Sequence, residues 1–214
     1  YGMKKLGVDW IISVSAVGSM REEIQPGHIV VVDQFFDRTK GRASSFFGGG
    51  IVGHVEFADP VCPSLSDVLY GAGREAGATI HKGGTYICIE GPQFSTRAES
   101  NIYRKWGVDV IGMTNIPEAK LAREAEICYA TLALSTDYDC WHTTEESVTV
   151  EMIIATLKKN VSTARDIISR AVPKITEHRG CRCAEAMKFA AITDRKAMPE
   201  QAKKDLSLLI GKYL

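Results

Sequence analysis

Residues 127–139 read ICYATLALSTDYD, a nearly unbroken apolar run that ends in two carboxylates, Asp137 and Asp139. The run has the length of a strand, and its lack of polar alternation predicts a strand that is buried on both faces. Aspartate is poorly suited to strands and is costly to bury without a partner. Either the strand emerges here into a polar loop, or the two carboxylates are held at its end for a purpose.

Strands and helices alternate on both sides of this segment. Apolar runs predict strands from about Asp9 to Ala16 and over residues 28–35, 84–91 and 108–113. Capping signals and helical spacing predict helices over residues 64–76, 96–107, 115–126 and 149–172, with Thr96 and Glu99 spaced as a capping box and Pro173 after the last helix. Such alternation is typical of α/β proteins whose sheet is covered on both faces. The sequence therefore predicts a central mixed, largely parallel twisted sheet flanked by helices.

The length of 214 residues suits a single domain with its own core. The first residues, YGMKKLG, have the pattern of a last helical turn that stops at Gly7, so we expect the domain to be incomplete at its N-terminus. Residues 37–58 are rich in glycine and serine and predict a long mobile loop. From about residue 174 to 214 we expect a more polar, helical C-terminal tail.

The charge balance excludes some classes of partner. Basic and acidic residues number 26 each, so the formal net charge is zero and a broad surface for nucleic acid or an anionic membrane is not expected. No apolar run approaches the ~20 residues that span a bilayer, and no signal peptide is recognisable. These features favour a cytoplasmic protein.

The cysteine pattern gives no reason to expect a metal. The six cysteines include no C-x-x-C pair, and only Cys181 and Cys183 lie close together in sequence. We therefore expect reduced thiols packed as small hydrophobic groups and no structural zinc site. A disulfide between Cys181 and Cys183 is possible on spacing but has no other support.

Three predicted strand ends carry polar or small residues that suit a ligand site. Ser15 offers a hydroxyl among small residues, and Thr114 follows the 108–113 strand at or beside a predicted helix start, where an anion is favoured. Asp137 and Asp139 are two residues apart and face the same way in extended geometry. Packing, helix capping and a solvated loop remain alternative explanations for these residues. Neither a P-loop nor a G-x-G-x-x-G motif follows a strand.

Four segments carry a resemblance to a known family. They are SAVGSMREEIQPGHIVVVDQFFDRT (15–39), IEGPQFSTRAES (89–100), GVDVIGMTNIPEAKLA (107–122) and CYATLALSTDYDCW (128–141). In order and content they closely resemble the methylthioadenosine phosphorylases of the trimeric purine nucleoside phosphorylase family. The resemblance implies that methylthioadenosine and phosphate are converted to adenine and 5-methylthioribose 1-phosphate, with phosphate as co-substrate and no metal or organic cofactor.

The resemblance also implies roles for individual residues. Asp137 and Asp139 would act on the adenine as catalytic residues. The implied phosphate-binding residues are Ser15, the backbone of Ala16, and Thr114. The implied nucleoside-binding residues are Phe94, Met113, Ile111, His54, Val150, Ile153 and Ile154. Of these, His54, Val150, Ile153 and Ile154 would surround the methylthio group. The family forms homotrimers, and His54 would come from a neighbouring subunit.

Two positions bear on the choice of base. Relatives that act on 6-oxopurines typically have Glu after the motif's Phe and Asn in place of Asp137, whereas this chain has Phe94-Ser95 and Asp137. Both differences favour a 6-aminopurine. Two phosphate-binding segments of the family, a Gly-Gly-Ser-Gly loop and an Arg-His-Gly segment, do not occur in this sequence. A phosphorylase for adenosine or methylthioinosine, and a noncatalytic nucleoside-binding subunit, remain alternatives.

Overall fold

A seven-stranded mixed sheet forms the centre of the computed structural model, which describes residues 1–142, 150–175 and 180–214. The strands are β1 (Trp10–Ser19), β2 (Ile29–Val32), β3 (Gln34–Arg38), β4 (Ile80–Lys82), β5 (Thr85–Ile89), β6 (Val110–Gly112) and β7 (Cys128–Tyr138). Their order across the sheet is β3-β5-β6-β1-β7-β2-β4. Among these described strands, four neighbouring pairs are parallel, and the pairs β1–β6 and β2–β7 are antiparallel. The predicted α/β class with a mixed, largely parallel sheet is confirmed.

Strand β7 is apolar along its length because both of its faces are covered. Its side chains alternate between two parts of the core. Cys128, Ala130, Leu132 and Leu134 pack with helices on one face, whereas Tyr129 and Ala133 belong to the core of the opposite face. Two-sided burial removes the need for polar alternation, which is why the run is continuous.

The helices are α1 (Gly2–Lys5), α2 (Pro63–Glu75), α3 (Arg97–Lys105), α4 (Glu118–Glu124), α5 (Val150–Ala171), α6 (Glu200–Asp205) and α7 (Ser207–Ile210). Helices α2 and α5 pack together and against β7. The predicted capping box is present, since the Thr96 side chain accepts from the Glu99 amide and the Glu99 side chain accepts from the Thr96 amide. In the part of the chain that is described, no helix combines the length and apolarity that a bilayer crossing requires.

Helix α4 and irregular segments cover the other face of the sheet. The glycine-rich segment expected to be a mobile loop is anchored, because Ser45 Oγ and the Phe46 amide both donate to the buried Glu124 carboxylate at 2.7 Å. Ile51 of this segment is 1% exposed. The C-terminal tail is not a continuous helix: 3-10 and short α turns carry Met187 and Ile210 into the same core.

Two strand predictions differ from the structure. The strand expected over residues 28–35 is divided at Asp33 into β2 and β3, which pair on opposite sides of the sheet, β2 with β7 and β3 with β5. Residues 80–82 form the edge strand β4, which the sequence did not indicate because three residues are too few for a period-two pattern.

Candidate active site

Three hydroxyl groups meet beside the middle of β1. Ser15 Oγ lies 2.7 Å from Thr114 Oγ1 and 3.1 Å from the Tyr86 hydroxyl. The Tyr86 hydroxyl is also 3.3 Å from Thr114 Oγ1 and accepts a hydrogen bond from the Thr114 amide. We call Ser15, Tyr86 and Thr114 the hydroxyl cluster. It can offer several donors to one anion.

The sheet topology brings this cluster together in a way that differs from the prediction. Ser15 lies inside β1, which continues to Ser19, and not at its end. Strand β6 runs antiparallel to β1, with Ile111 opposite Gly18. The chain leaving β6 therefore returns along β1 toward Ser15. Thr114 is not a helix cap either, because α4 begins at Glu118, so hydroxyls and backbone supply donors instead of a helix N-terminus.

The turn after β6 is fixed by side chains from distant parts of the chain. Arg42 donates to the carbonyls of Met113 and Ile116 at 3.0 and 2.6 Å. Asn115 is 1% exposed and has the left-handed φ of 74°, which asparagine tolerates better than most residues. Its Oδ1 accepts from Tyr129 and Thr131 at 2.6 and 2.8 Å. Hydrogen bonds to the residues before and after Thr114 therefore fix its position.

Gly112 makes room for the Tyr86 hydroxyl. A Cβ at Gly112 would lie 1.9 Å from the hydroxyl oxygen and 2.7 Å from Cζ of Tyr86. Tyr86 is completely buried, so the ring cannot swing away into solvent. Glycine is therefore required at position 112 by its contact with Tyr86.

Gly112→Ala is expected to lower the free energy of unfolding by at least about 1–3 kcal/mol, because overpacking a filled site forces the backbone or Tyr86 to move. Gly71→Ala is the matched control. Gly71 lies within α2 with open space around its Cβ position, so alanine there should stabilise the protein by about 0.5–1 kcal/mol. Urea unfolding of both variants tests the difference, and equal stability would contradict it.

Asp137 and Asp139 lie at the end of β7, next to a β-bulge in its pairing with β1. The register between the two strands shifts between Val17 and Gly18, which places Gly18 opposite Asp137. A Cβ at Gly18 would come within 3.3 Å of both Asp137 Oδ1 and Asp139 Cβ, so glycine leaves space for the carboxyl groups. The two carboxylates are therefore positioned by the sheet and do not belong to a solvated loop.

The two carboxyl groups have different surroundings. Thr136 Oγ1 donates to Asp137 Oδ2 at 2.6 Å, and Ser95 Oγ donates to Asp139 Oδ2 at 3.3 Å. Burial raises the pKa of Asp137 above its ordinary value of 3.8, and the negative charge of Asp139 raises it further against the opposing Thr136 hydrogen bond. Asp137 is thus suited to carry a proton.

A raised pKa at Asp137 has a consequence for stability. Between the ordinary pKa of 3.8 and the raised pKa of the folded state, the folded protein binds more protons at this group than the unfolded protein does, so the group's contribution to stability falls as pH rises through its folded pKa. Asp137→Asn removes the burial of a charge. We expect the free energy of unfolding of the variant to increase relative to that of the unsubstituted protein as pH rises from about 4.5 to about 7.5. Parallel pH profiles in chemical unfolding would contradict this.

The other predicted residues are spread over several parts of the fold. Met113 directly precedes Thr114 of the hydroxyl cluster, and its Sδ occupies the space that a Cβ at Gly91 would need. Ile111 lies beside Gly18 at the β-bulge. Phe94 is 83% exposed on the loop after β5, and Ala16 is exposed in β1 beside Ser15.

Of the residues expected around a methylthio group, His54 and Ile154 have described side chains. His54 is exposed and lines a cavity of about 500 Å³ that none of the other predicted site residues with described side chains lines. Ile154 is 45% exposed on α5. The side chains of Val150 and Ile153 lie outside the described residues.

Tyr86 and Arg42 were missed by sequence reasoning. Tyr86 sits in an apolar strand run, where its ring gives no sign that its hydroxyl reaches a site. Arg42 lies in a glycine- and serine-rich segment. Its charge was the one signal available, because a cation in such a segment often pairs with an acceptor elsewhere in the chain. Its guanidinium also donates to the Glu90 carbonyl at 3.1 Å and pairs with the Glu90 carboxylate at 3.2 Å.

The family model of the phosphorylase superfamily matches residues 1–173, which include the whole sheet and the hydroxyl cluster. The chain belongs to the phosphorylase superfamily. The resemblance read from the four sequence segments is therefore confirmed, and the sheet with its hydroxyl cluster is a phosphorylase-superfamily sheet.

Individual relatives in the superfamily agree. The S-methyl-5′-thioadenosine phosphorylase of Geobacter sulfurreducens is 65% identical over 100% of this chain and 75% of its own length. A crystal structure of a methylthioadenosine phosphorylase from an antarctic soil metagenomic library has a TM-score of 0.91 and 49% identity, covering 97% of this chain and 74% of that one. A Schistosoma mansoni adenosine/methylthioadenosine phosphorylase mutant, solved in complex with methylthioadenosine, has a TM-score of 0.78 and 31% identity over 98% and 73% of the two chains.

Proposed function

We propose that the protein catalyses the phosphorolysis of methylthioadenosine to adenine and 5-methylthioribose 1-phosphate. A phosphate oxygen bonds to the anomeric carbon of the sugar as the glycosidic bond breaks, and the bond's electron pair leaves with the purine. The purine takes up a proton at the same time. Phosphate is the co-substrate, and the reaction as proposed uses no metal or organic cofactor.

The observation that carries this proposal is that the hydroxyl cluster and Asp137 lie beside two nearby positions of β1. Ser15 of the hydroxyl cluster and Gly18, which faces Asp137, are three residues apart on β1, or about 10 Å in extended chain. A ribose with phosphate on one side and a base on the other spans such a distance. The proposed anion site and the proposed proton donor would therefore both lie along β1, the first beside Ser15 and the second facing Gly18 from β7.

The hydroxyl cluster would bind the phosphate. Ser15 and Thr114 can turn their hydroxyls from each other to phosphate oxygens, with the Ala16 backbone beside them. Hydrogen bonds to a charged group are stronger than those between neutral groups, which favours this exchange. Tyr86 would position both hydroxyls. Fixing the nucleophile close to the anomeric carbon lowers the entropic part of the barrier.

Asp137 would act on the base. With its pKa raised, Asp137 retains a proton at higher pH than an ordinary aspartate does and can donate it to N7 as negative charge develops on the purine. Asp139, held by Ser95, would accept from the 6-amino group. Exposed Phe94 would stack on the base, while Met113 and Ile111 would line the sugar side.

The assembly and location of the protein are part of the same proposal. We expect a homotrimer in which His54 reaches the nucleoside of a neighbouring subunit, together with Val150, Ile153 and Ile154 around the methylthio group. Cytoplasmic localisation fits the small, soluble substrates. Static light scattering of the natural-length protein tests the trimer.

The decisive assay measures adenine release from methylthioadenosine by the natural-length protein, with and without phosphate, and uses inosine as the control. Phosphate-dependent release with inosine unchanged supports the proposal. Release without phosphate would indicate a hydrolase, and faster turnover of adenosine or methylthioinosine would assign a different nucleoside. Binding without release would indicate a noncatalytic subunit.

A further inference from the structure

Four of the six cysteines meet at one point away from the hydroxyl cluster. The sulfur atoms of Cys62, Cys128, Cys181 and Cys183 all lie within 4.8 Å of one another. The Cys181 sulfur is 3.5 Å from both Cys62 and Cys128. Three of the thiols are buried and Cys181 is half-buried. We call these residues the cysteine cluster.

We propose that the cysteine cluster binds one Zn²⁺ ion as a tetrathiolate structural site. Four sulfur ligands at about 2.3 Å from a tetrahedral zinc stand about 3.8 Å from one another. The separations of 3.5 to 4.8 Å in the cluster are close to that arrangement. Soft thiolate donors in a set of four select zinc over the hard cations that carboxylates bind. This departs from the expectation of a protein without a metal.

Each ligand is fixed by secondary structure. Cys62 is the N-cap residue of α2, and its amide donates to the Tyr129 carbonyl at 2.8 Å. Cys128 is the first residue of β7, and its amide donates to the Asp9 carbonyl at 2.9 Å. Cys183 begins a 3-10 helix, and Cys181 precedes it by two residues. Helix α2 and strand β7 thus supply one sulfur each, and the turn at residues 181–183 supplies the other two.

A helix dipole and an open cavity lie beside the cysteine cluster. Zinc binding would release four thiol protons and leave a centre with a net charge of −2, and the positive end of the α2 dipole at Cys62 opposes that charge. The cavity that Cys181 and Cys183 line carries charges of both signs, Arg123 and Arg182 together with Glu56, Asp59 and Glu185. That cavity gives an ion a path from solvent to the half-buried Cys181.

The site would fasten the C-terminal segment to the sheet. Residues 180–214 contain only short helical turns, yet they bury Met187, Leu209 and Ile210 in the core. Short turns are weak alone, so a metal that joins the start of this segment to β7 and α2 would stabilise its packing. None of the hydroxyl cluster, Asp137 or Asp139 is a ligand, so the role is structural and independent of the proposed reaction.

The test is the metal content of the natural-length protein, purified under reducing conditions without chelator and measured by inductively coupled plasma mass spectrometry. We expect about one zinc per chain, falling below about a tenth in Cys183→Ser. Cys140→Ser is the matched control, because Cys140 is exposed and outside the cysteine cluster. It should retain the zinc content of the unsubstituted protein.

A second measurement does not depend on folding of a variant. Titrating the unsubstituted protein with a mercurial reagent should release about one zinc, detected with a chromogenic chelator, as the thiols of the cysteine cluster react. Zinc content near zero after dialysis against Zn²⁺ would overturn the proposal. So would stoichiometric iron in place of zinc, or an unreduced intact mass that shows disulfides among these cysteines in metal-free protein.

Discussion

Asp137→Asn is expected to lower kcat/KM for methylthioadenosine by on the order of 10²–10⁴, the range that a positioned general acid contributes. Asparagine preserves the shape of the side chain and can still accept from Thr136, which holds Asp137 at 2.6 Å. It has no acidic proton to give to the departing purine. The loss should therefore appear mainly in kcat, with the KM for the nucleoside changed much less.

The pH profile distinguishes this role from a general disturbance of the site. In the unsubstituted enzyme, kcat should fall as pH rises through the raised pKa of Asp137, because the proton donor is lost. The variant should lack that limb. Asp67→Asn is the matched control, since Asp67 is exposed and forms a surface ion pair with Lys82 at 2.5 Å. Full activity in Asp137→Asn would exclude Asp137 as the acid.

Thr114→Val is expected to raise the KM for phosphate about 10- to 100-fold, as removal of one hydrogen bond to a charged group predicts. Valine has nearly the shape of threonine, and the bond between Ser15 and Tyr86 at 3.1 Å remains in place. The KM for methylthioadenosine should change little, because Thr114 is proposed to contact phosphate and not the base. Initial rates at varied phosphate and saturating nucleoside measure the effect.

The control for this substitution is Thr163→Val on α5, whose hydroxyl donates to the Lys159 carbonyl within the same helix. Its phosphate KM should match that of the unsubstituted enzyme. If Thr114→Val weakened the nucleoside and phosphate equally, the hydroxyl cluster would be a structural support and the phosphate site would lie elsewhere.

The sheet was largely predictable because its signals are local. The ICYATLALSTD run is continuous since β7 packs on both faces, and two-sided burial is visible in hydrophobicity alone. Asp137 and Asp139 were also accessible to prediction, because residues two apart in a strand share a face and a charge interaction follows from that spacing. The division of residues 28–35 at Asp33 was not, since each half is fixed by a different partner strand.

The framework around Thr114 could not be read from the sequence because its contacts join distant positions. Arg42 and Met113 are 71 residues apart, as are Ser15 and Tyr86. No short-range periodicity records such contacts. The cysteine cluster was hidden for the same reason, since zinc motifs are recognised by paired local spacing, while Cys62 and Cys181 are 119 residues apart. Roles that involve a neighbouring subunit, such as that of His54, stay predictions.

The irregular segment between β3 and α2 carries a consequence for how the sequence can change. Connections of this kind usually accept insertions and deletions over evolutionary time. Here Arg42 fixes the turn that bears Thr114, Ser45 and Phe46 are tied to Glu124, and Ile51 is in the core. A gain or loss of one residue between these anchors would displace Thr114 and with it the hydroxyl cluster. The segment should therefore vary in length as little as a central strand does, although it has the composition of a linker.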